Sequence, residues 1–121
     1  MMILGLHHAQ ITIPSGAEEE GRTFYCSLLG MPEIEKPESL KGRGGYWIQV
    51  GTQEIHIGTE EGFDRLTTKS HLAYLVEDLA YWRSQLEQHN IQIIDGIPIP
   101  GFQRFEFRDP FGNRVEMIQE E

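Results

Sequence analysis

The chain has 121 residues, 39% hydrophobic and 24% charged, which is enough for one domain with a buried core. It carries 19 Asp and Glu against 10 Lys and Arg, a net charge of -9, and the basic residues are scattered. Such a surface repels phosphate backbones and anionic lipid, so nucleic acid and membranes are poor partners for it. No apolar run reaches bilayer-spanning length, "MMILGLHH" lacks a basic n-region and a cleavage site, and the lone Cys26 has no partner for an internal disulfide. Together these predict a cytoplasmic protein.

"HAQITI", residues 8 to 13, alternates as a strand does, and Pro14 and Ser15 stop it. Ser15 and Glu18 have the spacing of a capping box, and Phe24, Leu28 and Leu29 recur at helical spacing up to Gly30. "MPEIEKP" reads as a loop or short edge strand. "GGYWIQV" and "EIHIG" read as strands joined by Gly51-Thr52-Gln53. The order then repeats. "HLAYLV" is a strand headed by His71, Asp78 is a candidate N-cap, and Leu79, Trp82 and Leu86 give a helix that Asn90 can stop. "IQIID" is a short strand, and "RFEFRD" and "NRVEMIQ" form a hairpin across "DPFGN". Strand, helix and about three strands are thus written twice, as modules of about 4–60 and 68–119 in a single domain of the α+β class, joined by the polar "FDRLTTKS".

The period of two sorts the side chains. In the first strand Ala9, Ile11 and Ile13 share the helix side with His7, while His8, Gln10 and Thr12 take the other face. In "EIHI", Ile55 and Ile57 go to the helix, leaving Glu54 and His56. In "NRVEMI", Val115 and Met117 go to the helix, leaving Arg114, Glu116 and Ile118. His71 matches His8 in the second module. Four strands thereby aim His8, His56, His71 and Glu116 at a concave surface. Imidazoles with a carboxylate suit a divalent ion such as Zn, Ni, Fe(II), Mn or Co, and open positions would make the site catalytic.

"GLHHAQITIP", "FYCSLLGMPE", "KSHLAYLVEDL" and "DPFGNRVEMI" carry a resemblance to the vicinal oxygen chelate superfamily, the group of glyoxalase I, fosfomycin-resistance enzymes, extradiol dioxygenases and bleomycin-resistance proteins. It spans residues 4 to 118. The resemblance implies two βαβββ modules whose curved mixed sheets form a metal-binding cup. It also implies metal ligands at His8, His56, His71 and Glu116, and a homodimer whose sites are shared between chains. One departure concerns His56, where glyoxalase-type members usually have a carboxylate or Gln; Glu54, two residues away on the same face, is the alternative ligand. The departure leaves His8, His71 and Glu116 as a two-histidine, one-carboxylate set.

The resemblance implies an enzyme acting on a small molecule with two adjacent oxygen donors, of lyase, dioxygenase or thiol-transferring type. The alternative is a protein that sequesters a small molecule without turnover, as bleomycin-resistance proteins do. Glu116, or Glu54 where it is not a ligand, is the candidate proton shuttle. Gln10, Trp47, Arg43, Arg104, Phe105 and Phe107 are candidate substrate contacts, the arginines as holders of an anionic group. Cys26 reads as packing, and His89 as a residue that caps helix carbonyls.

Overall fold

The computed structural model describes residues 1–121. The chain divides into two compact units, Met1–Phe63 and Asp64–Glu121. Unit one holds β1 (His8–Ile13), α1 (Glu18–Arg22), β2 (Glu33–Ile34), β3 (Tyr46–Val50) and β4 (Gln53–Thr59). Unit two holds β5 (His71–Leu75), α2 (Leu79–Gln88), β6 (Ile94–Asp95), β7 (Phe102–Arg108) and β8 (Arg114–Glu120). Each is a βαβββ module with a four-stranded sheet, ordered β1-β4-β3-β2 and β5-β8-β7-β6. In both, the first strand runs parallel to the last and the other pairs are antiparallel. A parallel pair needs a long crossover, and the helix with its two following strands provides it.

The apolar faces follow the period of two. Ile13, Tyr46, Ile48, Ile55 and Ile57 are buried with Phe24, Tyr25 and Leu29 in unit one. Tyr74, Phe105, Phe107, Val115 and Met117 are buried with Leu79 and Leu86 in unit two. The Arg83 guanidinium of α2 lies 5.2 Å from the Phe105 ring centroid and pairs with Asp95 at 2.6 Å, so the helix side of that sheet carries a cation–π contact and an ion pair at its rim.

Local chemistry explains most helix ends and corrects one. Asp78 is the N-cap of α2, its Oδ1 accepting from the Tyr81 N–H at 3.1 Å. Asp78→Ala is expected to cost about 1 kcal/mol in urea unfolding, the usual value of such a cap. Asn90 stops the segment at φ 60, and His89 Nδ1 lies 2.8 Å from the Gln85 carbonyl as expected. The Ser15–Glu18 capping box does not form. Gly16 turns the chain at φ 83, so Ala17 becomes the N-cap and Ser15 falls two residues too early. The Ser15 N–H donates to Glu61, and Glu18 accepts from the Gly45 N–H at 3.1 Å.

The first helix also widens. From Thr23 to Leu28 it is π-helical, with the Leu29 N–H reaching the Phe24 carbonyl. The wide turn lets the neighbours Phe24 and Tyr25 both enter the core. Burial pushes the half-buried Cys26 thiol upward in pKa and the Glu33 charge adds to this, the reverse of what activates a nucleophile. No helix is long and apolar enough to cross a membrane.

Candidate functional site

On unit two, the sheet face away from α2 carries an alternating charge network. Strand pairing sets Glu106 opposite Glu116, with Ala73 on the far side of Glu116. His71 lies beside Arg114 in the adjoining row. Glu116 is 5% and Glu106 7% exposed, so both carboxylates are out of bulk water. Burial of a charge requires partners, and guanidinium forks provide them. Arg104 donates through Nε to Glu116 Oε2 at 2.9 Å and through Nη2 to Glu116 Oε1 at 3.1 Å. It reaches Glu106 at 3.4 Å and gives Nη1 to the Ile97 carbonyl. Arg114 forks onto both oxygens of Glu106. Arg104 first, then His71, holds the Glu116 carboxyl below the usual range; Arg114 does the same for Glu106.

His71 lies with both ring nitrogens against oxygen. Nδ1 is 2.9 Å from the Lys69 carbonyl and Nε2 is 3.0 Å from Glu116 Oε1. The carbonyl only accepts, so Nδ1 carries the proton. With Nδ1 committed to the carbonyl, Nε2 meets Glu116 through a second ring proton, which makes it a donor, or through a cation held between the lone pair and the carboxylate. Donor atoms of His71, Glu106 and Glu116 lie within 4.8 Å of one another. Imidazole and carboxylate donors at this spacing fit a divalent ion. Glu106 is engaged by both guanidiniums and acts chiefly as their counter-charge.

On unit one, the corresponding face has aromatic rings in place of the charges. Pairing puts Gln10, His56 and Trp47 in one row across β1, β4 and β3, and His8, Glu54 and Gln49 in the next. By pairing position, His56 corresponds to Glu116, Trp47 to Glu106 and His8 to His71. His56 is 7% exposed and sandwiched, stacked on Trp47 at 3.7 Å and on His8 at 3.9 Å. Its Nε2 lies 3.1 Å from Glu54 Oε1. The His8 and His56 planes are 16° apart. Imidazole lone pairs lie in the ring plane, so two stacked rings do not aim at one ion until one of them turns.

The structure gives several expected site residues other surroundings. Phe107 and Phe105 are not on the cup face: they are 1% and 0% exposed and pair with Val115 and Met117 against the core. The same alternation puts Arg104, Glu106 and Arg108 on the cup face, so Glu106 was readable from "RFEFRD" once the register across "DPFGN" was counted. Arg104 is spent on Glu116, Glu106 and Ile97 rather than left free for substrate. Trp47, Gln10 and Arg43 do line a cavity of unit one, with His8 and His56. His7 lines it too, against the expectation that it would face the helix. It precedes the first paired residue, so the pleat does not orient it, and its Nδ1 meets that of His8 at 2.9 Å.

Paired βαβββ modules, each with a histidine heading its first strand, define an α+β protein of the vicinal oxygen chelate type. Residues 5–117 match the Glyoxalase/Bleomycin resistance protein/Dioxygenase superfamily, and the chain belongs to that superfamily. Among solved structures it is similar to a Bacillus anthracis protein provisionally assigned to the glyoxalase family. The two are 42% identical with a TM-score of 0.91, covering 100% of this chain and 98% of that one. The fosfomycin resistance protein FosX of Listeria monocytogenes, solved with Mn(II) and sulfate, shares the fold at a TM-score of 0.77 and 15% identity, over 99% of this chain and 93% of that one. A Bacillus subtilis (strain 168) protein provisionally named as the ring-cleaving dioxygenase MhqO is 26% identical over 98% of this chain. This chain spans 41% of that relative's length.

Proposed function

We propose that the chain is a divalent-metal enzyme acting on a small molecule with two adjacent oxygen donors. The observation that carries the reading is His71, whose Nε2 faces a buried carboxylate while its Nδ1 is tied to the Lys69 carbonyl. The proposed ligands are His71 and Glu116 on unit two and, on unit one, His8, with His56 added if its ring turns out of the stack with Trp47. When bound, such an ion supplies Lewis acidity to neighbouring substrate oxygens. Glu116 and Glu54 are the groups placed to move a proton, Glu54 from its half-buried position beside His56. Arg104 orients the Glu116 carboxylate. The two modules act as one domain, and two chains pair so that their sites are shared, in a cytoplasmic setting. Ring cleavage, as in the name of the B. subtilis relative, is one reaction this ligand set supports.

The test is metal content. Protein purified without chelator and dialysed against Mn, Fe(II), Co, Ni or Zn should hold about one ion per chain. His71→Ala should lose it. A second reading, a protein that binds a small molecule without turnover, is favoured by the guanidiniums that already neutralise Glu106 and Glu116. Wild-type protein that takes up none of these ions would establish that reading instead.

A further inference from the structure

We propose that the cavity of unit one is a recognition site for a small organic anion, a flat molecule carrying a carboxylate. The cavity measures about 540 Å³, within the range that small ligands occupy. Its wall includes Lys36, Arg43, Trp47, His8 and His56, and no Asp or Glu lines it. In a chain of net charge -9 that is a local reversal of sign.

The segment from β2 to the start of β3, which lends Lys36, Leu40, Arg43 and Gly44 to the wall, shows how the reversal is kept. Its own carboxylates are taken by other cations: Glu33 by Arg22, and Glu35 and Glu38 by Lys41. Lys36 is left with a neutral partner, the Gly44 carbonyl at 2.8 Å, which satisfies one N–H and none of its charge. The exposed Arg43 guanidinium meets no carboxylate at all. Two uncompensated cations over a pocket gain from a ligand anion what surface cations normally gain from nearby Asp or Glu. The indole of Trp47 and the side chain of Leu40 give the organic part an apolar wall, which a hydrated inorganic anion would not use.

This deepens the proposed function by fixing the charge class of its substrate, yet it is testable without metal. Chelator-treated protein is titrated with benzoate, benzamide and inorganic phosphate while indole fluorescence is followed. Benzoate should bind saturably, weaken as salt rises, and bind roughly tenfold more weakly to Arg43→Gln, with a similar loss in Lys36→Gln. Benzamide should bind far less well than benzoate. The exposed Arg43 side chain makes no hydrogen bond or ion pair, so its variant should melt at the wild-type temperature. No saturable benzoate binding, equal binding of benzamide, equal binding by Arg43→Gln, or phosphate binding as tight as benzoate would each overturn the proposal. Benzoate binding by a protein that takes up no metal would leave this site standing while removing the metal-enzyme reading.

Discussion

Glu116→Ala is expected to destabilise the metal-free protein by about 3 kcal/mol, beyond any loss of metal, because it strands a buried cation. Arg104 has 12% of its side chain exposed and spends Nε and Nη2 on Glu116. Without that carboxylate it keeps only the Ile97 carbonyl and a long contact to Glu106. Urea unfolding in chelator measures the effect. Arg104→Met combined with Glu116→Leu should recover more than half of the loss, because removing both charges also removes both desolvation costs. Additive single-variant effects would show that the fork contributes little, and the orienting role given to Arg104 would fall with it.

The two-module plan and the face of each strand were legible because they rest on short-range regularities. Alternation alone separated Ile55 and Ile57 from His56, and Val115 and Met117 from Glu116, and the strand register agrees, setting Ile55 and Ile57 against Ile48 and Tyr46 and setting Val115 and Met117 against Phe107 and Phe105. Asp78 and Asn90 marked the second helix for the same reason: capping chemistry acts within one turn. What escaped depended on neighbours distant in sequence, or on turns that shift register by a residue. Gly16 moved the first helix start away from Ser15. Glu106 came into view only through its pairing with Glu116 across the hairpin. Arg104 reads from the sequence as a holder of a substrate anion, but β8 places the buried Glu116 carboxylate beside it. His7 and His8 looked like residues of opposite faces, but pleating begins only where pairing does. The stack of Trp47, His56 and His8 joins three strands and is written in no single segment.

The start of β3 offers the sharpest steric test of how unit one is assembled. Gly44 and Gly45 both adopt left-handed backbone, φ 79 and 77, where an added Cβ costs roughly 1–2 kcal/mol in strain. Their surroundings differ. A Cβ on Gly44 would come within 3.1 Å of the Thr59 Oγ1, a side-chain atom that can give way. A Cβ on Gly45 would collide with the backbone carbonyl of Ile57 and stand 3.1 Å from the Gly58 Cα, both fixed in the β4 ladder. The Gly45 N–H is also tied to Glu18, so the residue cannot swing outward without releasing the helix start. Gly44→Ala should therefore cost about 1–2 kcal/mol, and Gly45→Ala about 3 kcal/mol or more, read by urea unfolding. Tyr46 and Trp47 follow at once in β3, paired with Ile57 and His56, so forcing the strands apart here should also loosen the Trp47–His56 stack. A matching change in indole fluorescence in Gly45→Ala but not Gly44→Ala would locate the damage. Equal costs for the two alanines would mean that β3 does not approach β4 as closely as this geometry requires, and the aromatic wall of the unit-one cavity would lose its support.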